Sequence, residues 1–453
     1  MSEIVVVGAG PAGMAAARAA AEAGARVVLI DSATKLGGQY HRQDATSDTE
    51  AFTLPVGVEH LARTVVFAVE PGPRGPRLQL RTGRADGPGR AARVLEPAAL
   101  VLATGAHDRA LPFPGWDLPG VYTAGAAQAL AKGQRTAVGD TVLLAGTGPF
   151  LLPVARSLIG VGARLRGVLD ANDPIAGWLA RPRGLLAGIG KTGELAGHLA
   201  TLARHRVPYR PRSTVLAAHG RDRVESVTTA RLDRDWSVLP GTRQRVEVDA
   251  VCVGFGFAPR IELAVALGCA LTDGFVAVDL AQTTSVPGVF AAGELTGIGG
   301  AALAEDEGRI AGAAAARLLG LPVTVPHRAL RRVRSGRRFA TALAAAYPIR
   351  AGWQGWLDAD TVVCRCEEVV LGELRAAVTA RAASGVRSVK LVSRAGLGLC
   401  QGRICGANVA ELVGIAGGAT AFARRPIAEP LRLGELADTP RQVTPRQVKE
   451  NKQ

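Results

Sequence analysis

The sequence predicts an α/β protein with two nucleotide-binding units, the second inserted in the first, followed by a small C-terminal cysteine domain. Three observations carry this expectation. Apolar strands alternate with alanine-rich helical stretches from the start of the chain to about Gly320, the pattern of a parallel sheet covered by helices. The order strand, glycine loop, helix, strand, acid occurs twice, from Ile4 to Asp31 and from Val142 to Asp170. Four cysteines then stand in two tight pairs, Cys364-x-Cys366 and Cys400-x4-Cys405.

In the first unit, Ile4–Val7 enters Gly8-Ala9-Gly10-Pro11-Ala12-Gly13, a helix runs to Ala23, and the strand Arg26–Ile30 closes on Asp31. This is the order of a Rossmann-like dinucleotide site. Gly8 permits the tight turn, Gly10 lets a pyrophosphate approach the backbone, and Gly13 allows close helix packing, while the helix N-terminus offers positive dipole to phosphates. Asp31, at the end of the second strand, is placed to hold ribose hydroxyls.

In the second unit, Val142–Leu144 leads into Gly146-Thr147-Gly148, a helix through Ser157, and the strand Leu165–Leu169 closing on Asp170, with Leu151 where the third glycine belongs. Two readings stand: a site for NAD or another adenine nucleotide, and a loop kept only as scaffold. Asp170 favours a free 2′-hydroxyl, hence NAD over NADP.

The apolar strands Leu100–Ala103 and Val251–Val253 both end at small residues, as expected where a chain crosses between domains. They place the inserted unit at 120–250, between flanks 1–119 and 251–320, with a last helix from Glu305 to Leu319. Residues 321–360 are expected to be a basic linker, 361–425 the cysteine domain, and 426–453 a flexible tail, disordered from Asp438 to Gln453. Gly83 to Arg93 is expected as a loose hairpin tip.

With 453 residues, 48% of them hydrophobic, the chain can bury a sizeable core. The net charge of +15 is partly local: no acid occurs from Gly308 to Leu357, whereas Arg328, Arg331, Arg332, Arg334, Arg337 and Arg338 crowd one segment. That segment suits a solvated inter-domain linker or a docking surface for a partner chain. With 4% aromatics and no nucleic-acid motif, binding of DNA or RNA is not expected. Apolar runs such as Val142 to Ala155 fall short of a membrane span. The first residues lack the pattern of an export signal and the cysteines do not form a disulfide framework, so a cytoplasmic location is expected.

Four thiolates at one site favour an iron–sulfur cluster or zinc. The C-x-C pair is tighter than the C-x2-C usual in zinc ribbons; a metal-free relic is the third reading. Cys252 and Cys269 sit in apolar surroundings and are expected in the core. No C-x-x-C occurs between Met1 and Gly320, so thiol–disulfide exchange is not expected.

The segment Thr283-Thr284-Ser285-Val286-Pro287-Gly288-Val289-Phe290-Ala291-Ala292-Gly293-Glu294 resembles the second FAD motif of two-domain flavoproteins of the thioredoxin reductase type. Glu294 stands where that motif has Asp. The resemblance covers about residues 1 to 320 and implies FAD in the outer domain, with Gly38 and Gln39 close to the flavin, Thr104-Gly105 at the crossing strand, and Gly293 and Glu294 near the ribityl chain. Cys364-Arg365-Cys366-Glu367-Glu368-Val369 and Gly396 to Cys405 resemble the small, α-rich [2Fe-2S] module of bacterioferritin-associated ferredoxin. That implies Cys364, Cys366, Cys400 and Cys405 as cluster ligands, a helix from Leu371 to Ala383, and amides turned to the sulfurs at Gly396, Gly398 and Gly402. Lys390, Arg394 and Arg403 would offset cluster charge, or be solvated.

Ala103-Thr104-Gly105-Ala106 with Pro112-Phe113-Pro114-Gly115-Trp116, Gly308-Arg309-Ile310-Ala311-Gly312 and Val363 to Glu368 extend the likeness. Together they resemble the flavoprotein alpha subunit of bacterial dye-linked amino-acid dehydrogenases, the group with opine oxidase, D-hydroxyproline dehydrogenase and hydrogen cyanide synthase subunits. The resemblance implies an oxidoreductase subunit in a hetero-oligomer. It would relay electrons from a FAD-containing catalytic beta subunit of the D-amino-acid-oxidase type, and a further candidate partner is a small ferredoxin-like subunit. His41 and His107 fall near the flavin segments and are candidate active-site groups. The rival readings are an NADH-dependent FAD/[2Fe-2S] reductase and a non-catalytic nucleotide-binding scaffold.

Overall fold

The computed structural model describes residues 3–437 apart from 48–50, 73–74, 86, 183, 185–187, 189, 191, 326, 416 and 419. The expected disorder from Asp438 onward lies outside the described residues.

Five parallel strands form the first sheet, in the order Val289–Ala291, Ala99–Leu102, Glu3–Val7, Arg26–Ile30, Val58–Leu61. Their continuous apolar runs suit strands covered on both faces. Val5, Val28 and Leu100 pack with Val66 and Leu80 of an antiparallel sheet, Thr64–Gly72, Gly75–Thr82 and Ala91–Leu95. Ile4, Val6, Val27 and Leu29 turn the other way, onto the helices Pro11–Glu22 and Ala301–Leu318. Those helices touch through small residues: a Cβ added at Gly308 or Gly312 would lie 2.0 or 2.1 Å from the carbonyl oxygen of Ala12 or Ala16.

The second parallel sheet runs Tyr209–Pro211, Arg164–Asp170, Thr141–Thr147, Ala250–Phe255, Val121–Thr123. Ala124–Gln134, Leu151–Gly160 and Thr192–Arg204 are its helices, and an antiparallel sheet, Ser213–His219, Ser226–Arg231 and Gln244–Glu247, shares its other core. The chain crosses between the two units on Ala106–Asp108 and Phe257–Pro259, which pair antiparallel.

Residues 321–360 differ from the expected linker. His327–Ala346 is a 20-residue helix whose Ala329, Val333 and Ala340 pack on Leu303 and Ile310. Arg332 forms a two-point pair with Asp306, both bonds 2.6 Å, whereas Arg328, Arg331, Arg334 and Arg338 are exposed. Trp353 and Trp356 are then buried in the core of the second unit, Trp356 Nε1 donating to the Trp236 carbonyl at 2.9 Å.

The cysteine domain holds a short hairpin, Val362–Cys364 with Val369–Val370, and helices Leu371–Arg381, Val386–Ser393 and Gly406–Leu412. The segment beyond residue 425 also differs from expectation, because it returns across the first unit as a strap. Ala428 N donates to Phe67 O at 2.6 Å. Arg90 grips buried Glu435 through two 2.6 Å bonds, the geometry that makes carboxylate–guanidinium pairs strong and directional.

Candidate functional site

The first glycine loop has no room for side chains. Gly8 adopts φ +106°, and a Cβ there would meet Ala103 O at 2.2 Å, while one at Gly13 would meet Gly8 O at 1.7 Å. The loop is thereby pressed against its helix and against the strand Ala99–Leu102, and the start of that helix, Pro11–Glu22, opens directly from it, the arrangement that offers a helix N-terminus to a phosphate. Asp31 accepts from Ala9 N at 2.6 Å and Ala33 N at 2.7 Å, which fixes its carboxylate at the loop's edge. Gly38 comes so near Gly10 that a Cβ would lie 2.8 Å from the Gly10 Cα.

A continuous cavity of about 2050 Å³ runs over this floor, lined by Gly8, Gly10, Asp31, Gly38 and Gln39. Thr104, Gly105, Gly293 and Glu294 from the later strands line it too; Gly13 lies beneath the loop. Thr104 Oγ1 donates to Arg260 O at 2.7 Å and Arg260 N to Gly105 O at 2.9 Å, clasping the two crossing segments. The glycine cradle fits a dinucleotide, and the same cavity extends to Gly148 of the second loop. His107 lines it as well, but His41 lines a separate cavity of about 430 Å³, 3.9 Å from Glu305.

Sequence reasoning missed Glu307. It is fully buried, accepts from Gly293 N at 2.9 Å and pairs with Arg337 at 2.5 Å. Burial pushes its carboxyl up to about 7, against the pull of Arg337 and the Gly293 amide. Arg337 also donates to Thr296 O at 2.8 Å, so the basic helix holds the Gly293–Glu294 turn in place.

At the second loop, Gly146 packs against Gly254, where a Cβ would lie 1.8 Å from the carbonyl oxygen. Asp170 is 0% exposed and receives Tyr209 OH at 2.7 Å, Asn172 N at 2.9 Å and Gly148 N at 3.4 Å. Tyr347 stands over Gly148, 3.9 Å from a Cβ built there, and Trp178 Nε1 donates to its hydroxyl at 3.3 Å. Burial raises the Asp170 carboxyl to about 6. A raised acid favours the fold most where both states are protonated, so its contribution is full below about 3.8 and is lost as pH rises through about 6. Asp170→Asn is expected to flatten the pH dependence of unfolding free energy in that window by about 3 kcal/mol, measured by urea titration; an unchanged slope would contradict this.

In the cysteine domain, Cys366 Sγ lies 3.9 Å from both Cys364 Sγ and Cys400 Sγ, and Gly396 N donates to Cys364 Sγ at 3.4 Å. Cys364 and Cys405 are buried, whereas Cys366 is exposed. Hydrogen bonding from Cys405 draws Cys364 down to about 6 and Cys400 down to about 4. Burial raises Cys366 to about 11, and Cys405 is raised by its bonds to Cys364 and Cys400. Four neighbouring thiols resist ionising together, the electrostatic problem that bound iron relieves. Among the described residues no three such side chains converge as a single-ion site; the fit to a cluster rests on the sulfur pairs and the amide facing them. A Cβ at Gly398 would lie 2.5 Å from Cys366 Sγ. Gly398→Ala is therefore expected to yield protein with flavin absorbance but substoichiometric iron, checked by metal analysis.

The two centres adjoin. His107 Nε2 lies 3.0 Å from Arg403 O, inside the Cys400–Cys405 loop, and burial keeps the imidazole below its ordinary pKa. Arg403 Nε and Arg425 Nη2 converge on buried Glu262 at 2.8 and 2.6 Å. Arg260 reaches Glu429 at 2.7 Å, and Asn408 Nδ2 donates to Ala110 O at 2.8 Å. Arg403 thus anchors the module rather than standing in solvent. Arg394 pairs with Glu367 at 2.6 Å, and the Lys390 ammonium sits over the Phe422 ring at 5.7 Å.

Residues 2–317 match the pyridine nucleotide-disulphide oxidoreductase family. The chain belongs to that family. Residues 362–414 match the BFD-like [2Fe-2S] binding domain. The chain is 35% identical to the A subunit of opine oxidase from Agrobacterium tumefaciens (strain Ach5), over 97% of this chain and 92% of that one. It is 33% identical to hydrogen cyanide synthase subunit HcnB of Pseudomonas aeruginosa, over 88% and 90%. Among solved structures, L-proline dehydrogenase from P. horikoshii superposes with a TM-score of 0.67 at 19% identity, covering 96% of this chain and 79% of that one. Thioredoxin reductase from T. acidophilum superposes at 0.51 and 20%, covering 70% and 99%. This member of the family is a flavoprotein oxidoreductase with a C-terminal [2Fe-2S] domain, and no described helix is long and apolar enough to cross a membrane.

Proposed function

We propose that this chain is the electron-relay subunit of a dehydrogenase acting on the C–N bond of an amino acid or amine, the bond itself being oxidised by a separate FAD-bearing subunit of the D-amino-acid-oxidase type. One observation carries the proposal: His107, on the wall of the dinucleotide cavity, is bonded at 3.0 Å to the loop that holds Cys400 and Cys405. FAD supplies acceptance of electron pairs and their release one at a time, and a [2Fe-2S] centre supplies one-electron acceptance.

In this reading the Gly8–Gly13 loop binds the pyrophosphate, Asp31 the ribose, and Gly293 and Glu294 the ribityl chain. Gly38, Gln39, Thr104 and Gly105 border the flavin ring. Cys364, Cys366, Cys400 and Cys405 ligate the cluster. His107 and Glu262 hold the module against the flavin unit. At Gly146 and Gly148, the carboxylate of Asp170 is fully buried and is covered by Tyr209 as well as by its own loop, which favours a scaffold role over an NAD site. The subunit names of the relatives support assembly with a partner chain, and four cysteines set as cluster ligands rather than as a disulfide framework suit a reducing cytoplasm.

Anaerobic mixing of the purified chain with NADH tests the proposal. The flavin is expected to stay oxidised, and to bleach with an amino acid only when the partner subunit is co-expressed. Rapid bleaching by micromolar NADH would establish a self-sufficient reductase instead.

A further inference from the structure

We propose that the exposed edge of the cysteine centre, where Leu397, Leu399, Arg365 and Arg394 surround Cys366, is the docking surface for an acidic one-electron carrier protein. The inference rests on the electron-relay reading above and adds where electrons leave and what kind of protein takes them.

Of the four thiols only Cys366 is exposed. The inner side of the module is closed by this chain itself, through His107, Glu262 and the Arg403 backbone and side chain. Gly398 presses on the Cys366 sulfur, with 2.5 Å between Sγ and an added Cβ, and two leucines flank Gly398 in the chain. These are Leu397 and Leu399, 37% and 77% exposed.

Charges of both signs lie beside the leucines, with Glu368 exposed as well. The Arg394 side chain is 70% exposed even though it pairs with Glu367. Arg365, adjacent to Cys366 and exposed, is held with its guanidinium 5.2 Å above the Trp116 ring. Residues 362–414 carry seven Lys or Arg against four Glu. An apolar centre in a module of net positive charge, next to the one exposed ligand, suits a brief complex. Charge steers an acidic partner in, and a small apolar contact lets it leave. In the transfer one electron passes from the reduced diiron centre to the carrier's metal. The centre returns to its oxidised state, and no atom or proton moves.

The test uses the full-length holoprotein, photoreduced under argon and mixed with an acidic blue-copper protein, a basic c-type cytochrome or a small neutral quinone. Blue-copper reduction is expected to be the faster of the two protein reactions at low salt. It should slow at least about tenfold as ionic strength rises from about 0.01 to 0.15 M, where the screening length falls from about 30 to 8 Å. Leu399→Glu should slow it about tenfold or more while leaving the quinone rate within about twofold; Arg394→Gln should weaken the salt dependence. Val56→Glu, a control at a 98% exposed position on the flavin unit, should change neither.

Binding is read independently by NMR shifts of the isotope-labelled blue-copper protein with redox-silent zinc in place of copper, and should be lost with Leu399→Glu. Rates and shifts indifferent to Leu399→Glu, or a faster reaction with the basic cytochrome, would overturn the proposal. So would a change in the chain's own oligomeric state on that substitution, or burial of Leu399 by the co-expressed catalytic subunit, since each assigns the surface to another occupant. Failure of the cluster to pass electrons even to the quinone would instead sink the relay reading itself.

Discussion

Glu262→Ala is expected to loosen the cysteine module from the flavin unit. The Glu262 side chain is 9% exposed, and Arg403 and Arg425, at 13% and 9%, both converge on it. Removing one partner of a buried pair typically costs about 3–5 kcal/mol, because the remaining charge stays desolvated. Arg403 keeps Glu429 at 3.3 Å, which places the expected loss near about 3 kcal/mol. Burial raises the Glu262 carboxyl, and Arg403 and Arg425 with the backbone outweigh it, so the pKa ends below its ordinary value. An acid with a lowered pKa stabilises the fold above its unfolded pKa, near 4.5, and loses that contribution as pH falls through the folded value. Urea unfolding followed through cluster absorbance should therefore show a lower midpoint for the variant, and the difference from the parent should shrink as pH drops below about 4.5. Equal midpoints at neutral pH would show that the network does not hold the module.

Gly13→Val is expected to yield a chain without flavin that still binds iron. The first side-chain carbon would fall 1.7 Å from the Gly8 carbonyl oxygen and 2.8 Å from its carbon. Backbone cannot yield there without reshaping the loop that, in the proposed reading, binds the pyrophosphate. The second loop shows the contrast. Leu151 opens the helix Leu151–Gly160 and lies in the core at 1% exposure, so the equivalent position there accommodates a side chain. Extraction of flavin and iron from the purified variant checks the expectation; a full complement of FAD would contradict it.

The local requirements of the fold were legible in the sequence. Gly8, Gly13 and Gly146 mark places where the backbone passes within contact distance of another carbonyl, and such places leave a residue type behind. The C-x-C and C-x4-C spacings did the same for the four thiols. What could not be seen were pairings between charges far apart in the chain. The arginine-rich stretch after Gly308 has no acid of its own, so its composition suits a solvated linker or a docking surface for a partner chain. Yet Arg332 and Arg337 find Asp306 and Glu307 on the preceding helix. Arg403 meets Glu262 and His107, both far upstream of it. Past residue 425, the polar composition hid Glu435, whose partner Arg90 lies at the tip of a distant hairpin. Charged residues carry no periodic signal of their partners, whereas an apolar face or a forced glycine does.

The relay depends on electron exchange between the flavin and the cluster within one chain. Laser-flash reduction of the flavin in the anaerobic holoprotein, with both chromophores followed, decides whether that exchange occurs. Flavin absorbance is expected to recover with the same rate constant at which cluster absorbance bleaches, independent of protein concentration. A flavin that stays reduced beside an oxidised cluster, or recovers at a rate proportional to concentration, would contradict the relay.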